Sequence, residues 1–197
     1  MRLRSIVLGL ACIAWGSGVV AGFSTAERYA GTPGALATPG ASWPATASVE
    51  RDAARPTLLL FLHPCCPCSR ATVEELSRLL ARCGDRLATQ VIFVSDPQLG
   101  TDWRQGGLWE DVAALPGVTE LEDPGGTQAR LFGARTSGQA ELYGADGALL
   151  FSGGLTAARG HAGDNAGVDA VQAFVLHGHG AASAPVFGCA LVGAQTP

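Results

Sequence analysis

The chain predicts an α/β three-layer sandwich, a central mixed β-sheet with helices on both faces, preceded by one N-terminal hydrophobic helix. Three observations carry this expectation. Residues 57–63 and 89–95 are apolar runs without polar alternation, which suits central strands covered on both sides. Helix-patterned stretches alternate with them, the signature of a sheet sandwiched between helices. Near the end, two β-type runs (139–145 and 148–153) meet at Asp146-Gly147, a strong hairpin signal.

In chain order, residues 1–23 read as a signal peptide or membrane anchor. Arg2 and Arg4 form a basic start, and the apolar run 5–23 follows. That run exceeds the roughly 7–15 residues of a signal core and approaches the about 20 of a bilayer span. Gly9, Gly16, Gly18 and Gly22 dilute it, and small residues would allow cleavage after Ala26, giving a secreted protein. The anchor is favoured: a single pass through the inner membrane, the arginine end in the cytoplasm and the domain in the periplasm or outside the cell. Disulfides form and persist there. Residues 24–55, rich in Ala, Gly, Pro, Ser and Thr, read as a linker. Trp43-Pro44 is its one expected docking point.

Residues 56–180 form the expected domain. After the first strand, Val73, Leu76, Leu79, Leu80, Cys83 and Leu87 follow helical spacing, with Cys83 on the core side. After the second, 96–107 reads as loop, 108–115 as a short helix and 117–121 as a short strand. Residues 124–132 give one or two helical turns, and 164–177 a final helix with Val168, Val171, Phe174 and Val175 on one face. Residues 181–197 read as a C-terminal tail carrying Cys189.

Composition narrows the function. The formal net charge is −4 and all 13 basic residues are arginine, without any Lys/Arg cluster, so nucleic acid is not an expected partner. No phosphate loop, nucleophile elbow or HExxH motif occurs. Asp123, Glu141 and Asp146 read as loop or hairpin residues rather than a paired-carboxylate site.

The chemistry gathers where the first strand breaks at Pro64 into Cys65, Cys66 and Cys68 and a helix begins. Free N–H groups at a helix start stabilise thiolate over thiol. A thiolate is both the nucleophile of disulfide exchange and a ligand for soft metals. Cys65 and Cys68 make a CxxC, and Cys66 and Cys68 a CxC around Pro67; the spacing leaves both pairings open. Pro67 fixes φ where a missing donor is tolerated. His63 either tunes a thiol, ligates metal or simply ends the strand. Arg159 and His161 lie in a Gly-rich loop that reaches the cysteines if it folds back, Arg159 as a partner for an anion. Cys189 is a candidate resolving thiol or metal ligand, otherwise a surface thiol or a partner for Cys83. His177 and His179 suit a solvated helix end.

These pieces resemble the membrane-tethered, thioredoxin-like proteins of the TlpA and ResA type. The likeness rests on the tether, LLLFLHP, the cysteine cluster with its helix, VIFVSD, and EDPGGTQARLFGARTSGQAELYGADGALLFSGG. YAGTPG, Trp43-Pro44, HPxCPCSRA, LFSGGLTAARGHAGDNAG and PVFGC are similar to the RedB proteins. The resemblance implies a thioredoxin-like fold and thiol–disulfide exchange with exported, cysteine-containing proteins through Cys65, Cys66 and Cys68. It also implies a membrane thiol electron donor or acceptor as second partner, and no cofactor. The family's cis-proline is missing; its place falls near Gly138. That proline discourages metal, so its absence leaves room for a rival reading, a Sco-like copper chaperone using Cys66 and Cys68 with His161 or Cys189. A peroxidase of the same fold ranks lower, since no PxxxTxxC pattern precedes the cysteines.

Overall fold

The computed structural model describes residues 2–36, 39–96, 102–105 and 107–191. Parts of the expected linker (37–38), of the expected loop (97–101 and 106) and of the expected tail (192–197) lie outside the described residues. The chain divides into two compact units, Met1–Thr32 and Pro33–Pro197. The first holds helix α1, Arg2–Ala30. Its 29 residues span roughly 43 Å at 1.5 Å per residue. By length and composition this helix is long and apolar enough to cross a membrane. It runs past residue 23, where the apolar run ends.

The second unit contains a five-stranded sheet in the order β3-β2-β1-β4-β5. Its strands are β1 Thr57–Leu62, β2 Ala88–Ser95, β3 Val118–Pro124, β4 Gln139–Tyr143 and β5 Leu149–Gly154. Strands β1, β2 and β3 pair in parallel, β4 adds antiparallel to β1, and β5 adds antiparallel to β4 to complete the predicted hairpin. The helices are α2 Ser69–Cys83, α3 Leu108–Ala113, α4 Thr127–Leu131 and α5 Ala166–His177. This mixed sheet, with a helix leading out of its central strand and a terminal hairpin and helix, is the thioredoxin-like fold.

Every residue of β1 is buried, because the strand lies between two layers. Leu58, Leu60 and Leu62 face α2, α3 and α5, packing with Leu76, Leu79, Val112, Val168 and Val171. Leu59 and Phe61 face the other way, with Ile92, Val94, Phe132 and Tyr143. Among the described residues one short helix, α4, reaches this second face, through Ala129 and Leu131; ordinary chain covers the rest. Trp43 docks there as expected, edge-on to Phe132 at 5.0 Å and to Tyr143 at 5.1 Å. The described residues 33–36 and 39–55 therefore belong to the compact unit and are not free linker.

The stretch 183–191 differs in the same way from a free tail. Ser183 bridges Ser152 of β5, and Ala190 bridges Thr136. Val186 and Leu191 are buried. The sequence hid this because neither segment has periodicity; each docks through one or two large side chains and backbone pairing.

Candidate thiol site

Strand β1 delivers the chain to the site, and a short run of hydrogen bonds turns it. The His63 N–H donates to Ser137 Oγ at 2.8 Å, and His63 Nδ1 accepts from the Cys65 N–H at 3.2 Å. The His63 carbonyl accepts from the Cys66 N–H at 3.1 Å, and the Cys66 carbonyl from the Ser69 N–H at 3.0 Å. Helix α2 starts at once, with Cys68 as its N-cap residue. These turns face Cys65 outward and Cys66 inward, with Cys68 half-buried between them and exposed Pro67 at the bend. Cys66 is only 4 % exposed, too little for a thiolate presented at the surface. Of the three, Cys65 alone is exposed.

Cys189 arrives from the far end of the domain. The Sγ atoms of Cys66, Cys68 and Cys189 all lie within 4.8 Å of one another, and Cys66 Sγ stands 3.0 Å from Cys189 Sγ. Cys65 and His161 are outside this group. The His161 ring is exposed and its Nδ1 lies 2.8 Å from the Arg159 carbonyl, so among the described residues it is not a fourth ligand. Cys83 packs in the core beside Leu79, as expected, and pairs with nothing.

Electrostatics separate the three thiols. Burial works against ionisation of Cys66, but hydrogen bonds from Cys189, Ser69 and the Cys68 backbone outweigh it and hold this thiol below its ordinary value. Burial, and then the adjacent Cys66 charge, push Cys68 up. Burial, the hydrogen bond to Cys66 and the charges of Cys66 and Cys68 push Cys189 up to about 12. The Cys66–Cys189 hydrogen bond thus favours the charged form of Cys66 over that of Cys189, while the start of the 15-residue α2 adds its partial positive charge. Arg159 lowers both Cys68 and Cys189 by its charge, and its guanidinium donates to the Gly188 carbonyl. Burial, opposed by the charge of Asp96, lowers His63 and so favours the uncharged ring, whose Nδ1 accepts from the Cys65 amide.

The loop before β4 closes the site. Gly138 takes φ +93°, a left-handed conformation open to glycine, and its N–H donates to the Phe61 carbonyl at 2.8 Å. Ser137 stands beside it, and its hydroxyl meets both the His63 N–H and Ser69 Oγ, the latter at 2.9 Å. Where the resemblance expects a proline, this chain has a hydroxyl tying strand, loop and helix together. Along the open side of Cys66 runs a cleft of about 400 Å³ lined by Pro64, Cys65, Pro67, Arg70, Trp103 and Leu108.

Sequence reasoning passed over Ser69 and Ser137; only the three-dimensional pairing gives them a role. Glu141 lies fully buried on β4, pushed up to about 8 by burial against the hydrogen bonds from Gln139 and Ser152. It belongs to the hairpin, as the sequence suggests, and only the structure shows its burial. Asp123 proves to be the cap of α4, accepting from the Gln128 and Ala129 N–H groups at 3.0 and 2.8 Å.

No family model matches the chain, and no curated protein sequence matches it. Solved structures do. A hypothetical protein from Sinorhizobium meliloti 1021 aligns at TM-score 0.60 and 22% identity, covering 84% of this chain and 98% of its own. A conserved protein from Geobacillus kaustophilus aligns at TM-score 0.58 and 17% identity, over 85% of this chain and 95% of its own. An exposed lipoprotein thioredoxin from Streptococcus pneumoniae aligns more loosely, at TM-score 0.44 and 16% identity, over 62% and 84%. At these identities the first two likenesses speak to the fold alone.

Proposed function

We propose that the protein is a thiol–disulfide oxidoreductase that works outside the cytoplasm, held to the inner membrane by α1, on exported proteins that carry cysteines. The observation that supports this reading is the meeting of three thiols at the head of α2, with Cys66 the one held below its ordinary value. Cys66 attacks a client disulfide, and a neighbouring thiol, Cys68 in the pairing read from the sequence, closes on it and frees the client. A membrane-bound dithiol or disulfide then resets the pair, and its potential sets the direction of electron flow. Cys65 lines the rim of the cleft and does no chemistry. No cofactor is needed.

A second reading is supported by the same sulfur geometry. Three thiolate donors within 4.8 Å form a soft set that suits Cu(I). In that case Cys66, Cys68 and Cys189 hold the ion, and the protein is a copper carrier rather than an exchange catalyst.

One experiment separates them. The full chain in detergent micelles is reduced, split, and assayed for catalysed reduction of insulin by dithiothreitol and for Cu(I) retained after chelator washing. Catalysed reduction, with any copper removed by the chelator, is the expected result. Stoichiometric copper that survives the wash, with insulin reduced no faster than by dithiothreitol alone, gives the second reading.

A further inference from the structure

Cys189 reaches Cys66 on a segment built like a docked strand. The Ser137 N–H donates to the Cys189 carbonyl at 2.7 Å, and the Leu191 N–H to the Arg135 carbonyl at 2.8 Å, so Ala190 bridges Thr136 in antiparallel fashion. Arg159 holds the Gly188 carbonyl, the Gly34 N–H donates to the Val186 carbonyl at 2.8 Å, and the Val186 and Leu191 side chains are buried on either side. Gly188 is required by contact: a Cβ there would stand 1.9 Å from the Ser137 carbonyl oxygen. A client that approaches Cys66 from the side away from the Pro64–Trp103 cleft would bring a sulfur to the place Cys189 Sγ now occupies. The backbone groups beside that place are the Ser137 N–H and the Arg135 carbonyl, and an extended client would pair with them as an added strand.

We propose that Cys189 is the resolving thiol of Cys66, and that segment 185–191 is a strap lying where the client strand pairs, so that the strap lifts to admit a client and returns to expel it. The proposal rests on the exchange reading of the site. In the reducing direction the Cys66 thiolate attacks one client sulfur. A Cys66–client bond forms as the client disulfide breaks, and the second client sulfur leaves as a thiolate and takes a proton from solvent. The strap then returns and Cys189 Sγ attacks Cys66 Sγ. The Cys66–Cys189 bond forms, the mixed disulfide breaks, and the departing client sulfur takes the proton that Cys189 gives up. The client has gained two electrons and two protons; an external dithiol restores them to Cys66 and Cys189 by the same exchange in reverse.

The test uses the full chain in detergent micelles, with insulin as disulfide substrate and dithiothreitol as dithiol. The reduced protein is oxidised with insulin, and the new bond is mapped by mass spectrometry. A Cys66–Cys189 bond is expected, and Cys189→Ser should accumulate the insulin mixed disulfide while turnover falls about tenfold or more, as loss of a resolving thiol does. A Cys66–Cys68 bond alone, or Cys189→Ser turning over at the wild-type rate, overturns the proposal. Gly188→Ala keeps Cys189 but lifts the strap, so Cys66 in the reduced protein should react with iodoacetamide about tenfold faster. An unchanged Cys66 rate there, with the change confirmed and the fold intact by circular dichroism, counts against the strap. Should the wild-type chain catalyse no exchange at all, the reading of function fails. The disulfide closed by diamide, Cys66–Cys189 or not, still decides the pairing.

Discussion

Cys66 and Cys189 meet at one point, but they are held there in different ways. Cys66 is fixed mainly by its neighbours: residues 63 to 69 make their own turns, with Ser137 as a distant backbone anchor. Cys189 is fixed by distant groups throughout: the 135–137 loop, Arg159, and the buried Val186 and Leu191. One half of the site is a local structure whose start and stop signals lie side by side. The other is a long-range closure between residues more than a hundred positions apart. The first half should therefore keep its shape when the second is disturbed, whereas the second has nothing local to fall back on.

The largest expected effect tests the local half. Cys66→Ser should lower insulin reduction by on the order of a thousandfold, because the thiolate that attacks is gone. Cys65→Ser, one residue away but outward-facing, should stay within about twofold of wild type. Equal losses in the two variants, measured under identical dithiothreitol, would show that the adjacent thiols share the role and that the inward turn of Cys66 decides nothing.

The same contrast accounts for what the sequence made legible. The apolar run of β1, the break at Pro64 and the helical spacing of Val73, Leu76 and Leu79 lie within one stretch, so the strand, the helix and the cysteines at their junction could be read directly. The hairpin was legible for the same reason, through Asp146-Gly147. Cys189 was visible as a thiol but not as a neighbour, since its approach depends on backbone pairing with Arg135 and Ser137 and on a missing Cβ at Gly188. Glu141 could be placed in the hairpin but its burial could not be read, because spacing does not say what covers a strand's face. The choice between CxC and CxxC pairing stayed open because spacing does not say which way a side chain turns.

Glu141 gives a way to move the scaffold without touching the thiols. Its folded-state value is about 8 against an ordinary 4.5, so between those pH values the folded protein holds a proton that the unfolded chain has released. Its contribution therefore makes stability fall as pH rises through that window, with no cost below it and the full cost above. Glu141→Gln cannot pay that cost. Its gain over wild type in urea unfolding should grow from near zero below pH 4.5 to on the order of a few kcal/mol above pH 8. Insulin reduction should not change. A gain that does not vary with pH would mean the carboxyl is not buried as a neutral acid.

Val186→Ala tests the long-range half. The side chain is fully buried and anchors the segment just before Gly188. Truncation should cost about 2 kcal/mol, felt mainly as opening of the strap. Cys189 should then alkylate faster in the reduced protein, while amide exchange in α2 stays as in wild type. Equal loosening of α2 would erase the distinction between the two halves.

The smallest effect concerns a second long-range tie, between α5 and the helix that carries the thiols. Asn165 Oδ1 caps α5 by accepting from the Val168 N–H at 2.9 Å, and its Nδ2 donates to Glu75 Oε2 of α2 at 3.3 Å. Glu75 also accepts from the Gly163 N–H at 2.7 Å and pairs with Arg78 at 2.6 Å. Asn165→Ala loses the cap and the tie together and should cost about 1 kcal/mol. Asn165→Asp keeps the cap acceptor but sets a carboxylate against Glu75. Its cost should be small in acid, where a protonated carboxyl still donates, and should rise as the pH passes the carboxylate range. If Asn165→Asp instead keeps wild-type stability at every pH while Asn165→Ala loses it, the cap carries the whole effect and Glu75 feels nothing from α5. The orientation of α2, and with it the line of approach to Cys66, would then depend on the core contacts of Leu76 and Leu79 alone.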